Sequence, residues 1–221
     1  MENPNHSPEA YEIVFNDEYL LVVNKIAKIL VQPAEKKDEV TLTSLLQKES
    51  GEDVFPCHRL DRETTGLVIY AKSAHMQEAI TQEFKRGEVK KRYIAFVKDS
   101  PKKRQGLLED YIIDSEGKKF GEKPKKAKTF YAVLKKFNNW SVLELEPVTG
   151  RTNQLRIQLA KIGSPILGER KYAFGRDFLV KFRRLALHDF YLNFIHPVSR
   201  DRVELKIDLP QDMKKFLRNQ P

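Results

Sequence analysis

The chain has 221 residues, 40% of them hydrophobic and 10% aromatic, which suits a folded domain and argues against disorder. Lys and Arg total 40 against 31 Asp and Glu, a formal net charge of +9 that points to a polyanionic partner. The single cysteine, Cys57, excludes an intrachain disulfide and a thiolate zinc cluster, and the longest apolar runs, such as residues 19–23, fall far short of the roughly 18 residues a membrane span needs. A cytoplasmic protein with no membrane partner is the expectation.

Residues 1–10 carry two prolines and no periodicity, so a flexible start is expected, with the folded domain running over 11–221. Residues 11–15 and 19–23 are β-prone and flank Asn16-Asp17-Glu18, which predicts a hairpin. Residues 41–51 predict a short helix: Thr41 can cap it, Leu42, Leu45 and Leu46 share a face, and Gly51 stops it. Residues 66–71 have the composition of a buried strand. Residues 73–86 predict an amphipathic helix on Met76, Ile80 and Phe84, ended by Gly87. From Val89 the period returns to two: Tyr93, Ala95 and Val97 alternate with Ile94, Phe96 and Lys98. Strands are expected at 129–137 and 140–145 around the turn Asn138-Asn139, and again at 155–159, 185–194 and 203–207. Many strands with a few inserted helices predict an α+β fold around a mainly antiparallel sheet. No repeat and no linker interrupts it, so a single domain is expected.

The lysines of residues 118–128 and the run 101–104 fall between expected strands. They read as exposed loops able to face phosphates. Zincin-type histidine pairs, phosphate loops, dinucleotide-binding glycine patterns and a Gly-x-Ser-x-Gly elbow are all missing. The densest polar cluster is HRLDRETTG, residues 58–66. Asp61 stands there between Arg59 and Arg62, which favours its ionised form and suits a nucleophile or base. In extended backbone Arg59 and Asp61 would point one way and Arg62 the other. A second cluster, GRTNQLR, residues 150–156, ends in Arg156. Its planar guanidinium could hold a carboxylate such as Asp61 with two hydrogen bonds, one pairing among many that composition allows.

HRLDRETTGLVIYAKS, residues 58–73, resembles the central motif of the RluA-type RNA pseudouridine synthases. Residues 16–34 resemble their opening hairpin, KRYIAFV at 91–97 their lysine-x-tyrosine motif, PVTGRTNQLRIQLA at 147–160 their arginine motif, and RLALHDFYLNFIHP at 184–197 their closing motif. The blocks stand in family order over about residues 12–208. The resemblance implies an α+β domain with a bent, mixed, mainly antiparallel sheet and a central basic cleft. It implies an isomerase that turns a loop uridine of ribosomal or transfer RNA into pseudouridine, with no metal or organic cofactor, acting as a monomer. Asp61 matches the catalytic aspartate, Tyr93 the tyrosine that packs on the target base, Arg156 the arginine that pairs with the aspartate, and Arg62 the arginine that fills the place of the flipped-out base.

The chain departs from the pattern at Asn153 (usually histidine), Ile26 (usually proline), and Ser164 and Glu169 (usually histidine and aspartate). Since the opening hairpin begins near residue 11, no separate N-terminal RNA-binding module is expected. Two other readings compete: an RNA-binding or RNA-folding protein whose activity is dispensable, and a basic ribosome-associated structural protein. Cys57 is expected to pack rather than react.

Overall fold

The computed structural model describes residues 10–33, 40–113, 123–173, 175 and 178–219. The expected hairpin forms from β1 (Tyr11–Asn16) and β2 (Leu20–Lys25). Helix α1 (Leu42–Ser50) has Thr41 at its N-cap in a reciprocal capping box with Ser44, and ends on Gly51 at φ 71°. Next come β3 (Phe55–Pro56), β4 (Thr65–Ala71) and helix α2 (Ala74–Arg86), which is capped by Ser73 and stopped by Gly87. Then follow β5 (Lys90–Lys98), β6 (Gln105–Ile112), β7 (Lys125–Lys136), β8 (Trp140–Pro147), helix α3 (Gln154–Lys161), β9 (Leu187–Ile195), β10 (Arg202–Lys206) and helix α4 (Gln211–Arg218).

The strands form one sheet in the order β1-β2-β4-β9-β5-β8-β7-β6, with β3 beside β4 and β10 beside β9. Among the described strands, only β4 and β9 pair in parallel. The sheet is therefore mixed and mainly antiparallel, and the fold is α+β as expected. Strands β2 and β4 are buried on both faces, which explains their unbroken apolar sequences. Leu20, Val22, Leu67 and Ile69 pack toward Ile80 of α2, whereas Leu21, Val23, Val68 and Tyr70 join the larger core on the other side. That larger core includes Phe96, Trp140 and Phe216, with Phe216 brought in by α4.

Two expectations are corrected. Residues 155–159 are not a strand but the centre of α3. The buried side of α3 is built partly from amides: Gln154 donates to Lys128 O (3.0 Å) and Thr129 Oγ1 (2.9 Å), and Gln158 donates to Leu108 O and Ala127 O (both 3.2 Å). Lys125–Lys128 likewise belong to β7 rather than a loop, and Lys126 and Lys128 pair with Glu109 at 2.8 and 3.0 Å. Residues 118–122 and the expected flexible start at 1–9 lie outside the described residues. Strands β3 and β6 and helix α4 were not anticipated.

Gly66 stands where β4 meets β9. At φ 123° it passes so close that a Cβ would sit 2.1 Å from the carbonyl oxygen of Asp189. A side chain there would part the two strands next to the HRLDR segment.

Candidate active site

Residues 58–64 enter β4 through a turn, with Thr64 N donating to Asp61 O at 3.1 Å, rather than in extended backbone. The turn is fastened from below by Lys25, 1% exposed at the end of β2. Its ammonium donates to the carbonyls of Ile26 (2.8 Å), Ile29 (2.9 Å) and Arg62 (3.3 Å), and burial brings its pKa down to about 7. The backbone of Lys28 also donates to Arg62 O (2.7 Å), and Arg62 Nε donates back to Lys28 O (3.2 Å). Lysine inside an apolar strand was the available signal for this anchor, which sequence reading overlooked.

Asp61 and Arg156, 95 positions apart, meet across a cleft with Arg156 Nη1 3.2 Å from Asp61 Oδ2. The expected two-bond pairing is not what forms. Glu169 takes the fork instead, accepting from Nε at 2.6 Å and Nη2 at 2.9 Å, while Asn153 Oδ1 accepts from Nη1 at 2.6 Å. The side chain of Glu169 is fully buried and also accepts from the backbone N–H groups of Lys171 (2.8 Å) and Tyr172 (3.1 Å). Burial alone would raise its pKa, but the two bonds from Arg156 more than offset this and lower it. Burial opposes the charge of Arg156 as well, and Glu169 again overrides it, raising that pKa. The Tyr172 ring lies 5.1 Å from the guanidinium carbon. Sequence reading noticed Glu169 and Asn153 only as departures from a motif; both are the direct supports of Arg156.

Tyr93 lies on β5, 5% exposed, in the floor of the same cleft. The cleft encloses about 730 Å³ and is lined by Asp61, Tyr93 and Arg156 together with Arg59, His58, Lys91 and Arg151. Arg62 is not in that lining. It lines a second, adjoining cavity of about 490 Å³ that shares Arg59, Asp61 and Arg156 with the first and adds Lys28, Arg170 and Arg183. Arg59, Asp61 and Arg156 thus line both cavities, whereas Arg62 lines only the second. His58 accepts from the backbone N–H of Ile69 at Nε2 (3.1 Å), and burial holds its pKa well below the usual imidazole value. Cys57 is half-buried, and burial pushes its thiol up to about 12, so no thiolate exists at neutral pH. Among the described residues no cluster of His, Cys, Asp or Glu could hold a metal, and no helix is long and apolar enough to cross a membrane.

A carboxylate fixed by a guanidinium beside a buried aromatic ring, in a cleft open to a large ligand, is suited to covalent or proton-transfer chemistry on a planar base. Comparison with known proteins agrees. The sequence pattern of the RNA pseudouridylate synthases matches residues 19–161, and the chain belongs to that family of isomerases. It is 33% identical to ribosomal large subunit pseudouridine synthase D of Zymomonas mobilis, over 92% of this chain and 70% of that protein. It is 31% identical to tRNA pseudouridine synthase C of Vibrio parahaemolyticus, over 92% of both chains. It is 33% identical to the dual-specificity RNA pseudouridine synthase RluA of Pasteurella multocida, over 86% of this chain and 89% of that protein. Among solved structures, human RNA pseudouridylate synthase domain containing 4 superposes with a TM-score of 0.77 at 25% identity, covering 93% of this chain and 91% of its own.

Proposed function

We propose that the chain converts a uridine in ribosomal or transfer RNA to pseudouridine, with Asp61 as the carboxylate that acts on the substrate. The contact between Arg156 and Asp61 above Tyr93 carries this reading, and the ribosomal and transfer RNA enzymes among its relatives support the choice of RNA. In this reading Tyr93 packs against the uracil ring and Arg156 keeps Asp61 aimed. Arg62, in the adjoining cavity beside Asp61, occupies the position the uridine leaves. A stacked uridine must be turned out of its helix or loop at a cost of about a few kcal/mol. An aromatic surface and an inserted guanidinium offset part of that cost. The net basic charge contributes sequence-independent affinity for the phosphate backbone.

The test is Asp61→Asn, which keeps size and removes the nucleophile. Pseudouridine formation on ribosomal and transfer RNA from cells lacking the gene should fall by at least about a thousandfold, as when a nucleophile is deleted elsewhere. RNA binding should persist, because the phosphate contacts lie elsewhere. Wild-type turnover by the purified variant would defeat the assignment. It would also revive the alternative of an RNA-binding protein whose chemistry is incidental.

A further inference from the structure

Below Tyr93 lies a carboxylate that none of these roles uses. Asp189 is on β9, directly across from Tyr93 of β5 and beside Gly66 of β4. It is fully buried, and neither of its oxygens makes a hydrogen bond of normal geometry among the described residues. The ionisable groups that act on it both come from β5: the ammonium of Lys91 and the hydroxyl of Tyr93. From β4 it faces Gly66, which offers no side chain. The 58–64 segment contributes Asp61, which acts on Tyr93, and neutral His58, which faces Lys91. The Lys91 ammonium lies over the rings of Phe84 and Tyr93, 5.4 and 5.8 Å from their centroids. A register shift between Arg92 and Tyr93 breaks the β5–β9 ladder at this point.

The isomerisation needs a base here. Once C1′ of the ribose is joined to C5 of the uracil, C5 is tetrahedral and still carries its hydrogen. That C–H bond must break, its electron pair forming the C5=C6 double bond, while the electrons of the N1=C6 bond return to N1, which takes a proton from water. We propose that Asp189 is a positioning residue and proton acceptor behind Tyr93: as the phenol oxygen takes the C5 hydrogen, the phenol's own proton passes to the Asp189 carboxylate. This rests on the reading that Tyr93 faces the target base. Asp189 does not line the cleft and so acts only through Tyr93. Burial raises the Asp189 carboxyl to about 7, with Lys91 and Tyr93 opposing, which makes its anion a much stronger base than an ordinary carboxylate. Burial and the proximity of Asp189 push the Tyr93 phenol well above its usual value, so it enters the cycle protonated and needs an acceptor.

The experiment uses full-length protein and ribosomal and transfer RNA from cells lacking the gene, with hydrogen or deuterium at uridine C5. Asp189→Asn, which preserves shape, should slow turnover by about ten- to a hundredfold at little change in KM, within the usual range for a general base. It should also enlarge the isotope effect and erase the rise in rate on passing upward through pH 7. Lys91→Met gives an independent reading. Removing the cation that favours the Asp189 anion should move the rising limb to higher pH. Wild-type rates from Asp189→Asn would overturn the proposal. So would a slower enzyme that keeps the wild-type isotope effect and pH profile, since those mark a purely structural residue. Turnover surviving in Asp61→Asn would defeat the underlying reading of Asp61, whereas an unchanged Asp189→Asn enzyme defeats only the role of Asp189.

Discussion

On the Arg156 side of the cleft every guanidinium nitrogen has a partner: Glu169 takes two, Asp61 and Asn153 share the third. On the Tyr93 side, Asp189 and the Nδ1 atom of His58 are buried without a hydrogen bond of normal geometry among the described residues. The first wall is a saturated network, and low dielectric strengthens it. The second places polar groups where low dielectric raises the cost of charge. A saturated network fixes geometry, and an unsaturated one leaves protons free to move. The cleft combines a rigid carboxylate with a titratable floor.

Breaking the saturated wall should have the largest effect on folding. Glu169→Gln leaves Arg156 with only the single contact to Asp61 to offset its charge, and loss of one partner of a buried pair costs up to about 3–5 kcal/mol. Urea denaturation should show that loss, accompanied by a fall in turnover as Asp61 loses its fixed neighbour. The pH dependence has a definite sign. Because the folded-state pKa of Glu169 is lowered, its contribution is present above the ordinary carboxylate range and is lost as pH falls through the lower folded value. The stability gap between wild type and Glu169→Gln should therefore narrow on acidification, and a gap independent of pH would remove Glu169 from the charge network.

The junction between the walls gives the next test. Gly66→Ala must place a methyl group against the backbone of Asp189 at an unfavourable φ, and the expected cost is roughly 2–5 kcal/mol. A thermal melt that matches wild type would mean that β4 and β9 separate more easily than their spacing implies. The smallest effect belongs to Cys57→Ala. Its half-buried thiol contributes volume and a weak hydrogen bond to Phe55 O at 3.8 Å, so turnover should not change and stability should drop by about 1 kcal/mol. An inactive but folded Cys57→Ala protein would bring a thiol into the chemistry.

Most strands and helices that bury apolar side chains were legible from periodicity, though not α4, which brings Met213 and Phe216 into the core, and Asp61 stood out because two arginines flank it. Helix α3 was not legible. Leu155, Ile157 and Leu159 alternate as strand residues do, and the helical face depends on Gln154 and Gln158, whose bonds to β7 and Leu108 no hydropathy pattern registers. Glu169 was hidden for a related reason: its meaning lies in a partner thirteen positions away, across an irregular segment. Asp189 did leave a trace, a carboxylate inside the apolar run LHDFYLNFI, which a search for polar residues within buried strands would find.

Strand β9 has a consequence for the order in which the protein becomes an enzyme. In the sheet, β4 and β5 do not pair, and β9 lies between them. The Asp61 turn leads into β4, and Tyr93 belongs to β5. Thr65 of β4 meets His188 of β9 at a separation of 123 positions, among the most distant contacts in the chain. Closing so long a loop is slow relative to forming hairpins. A ribosome that has released residues 1–160 has already made Asp61, Tyr93 and Arg156, yet the sheet that sets them facing one another awaits residues 187–195. The facing arrangement of the two halves of the cleft therefore waits on one late strand.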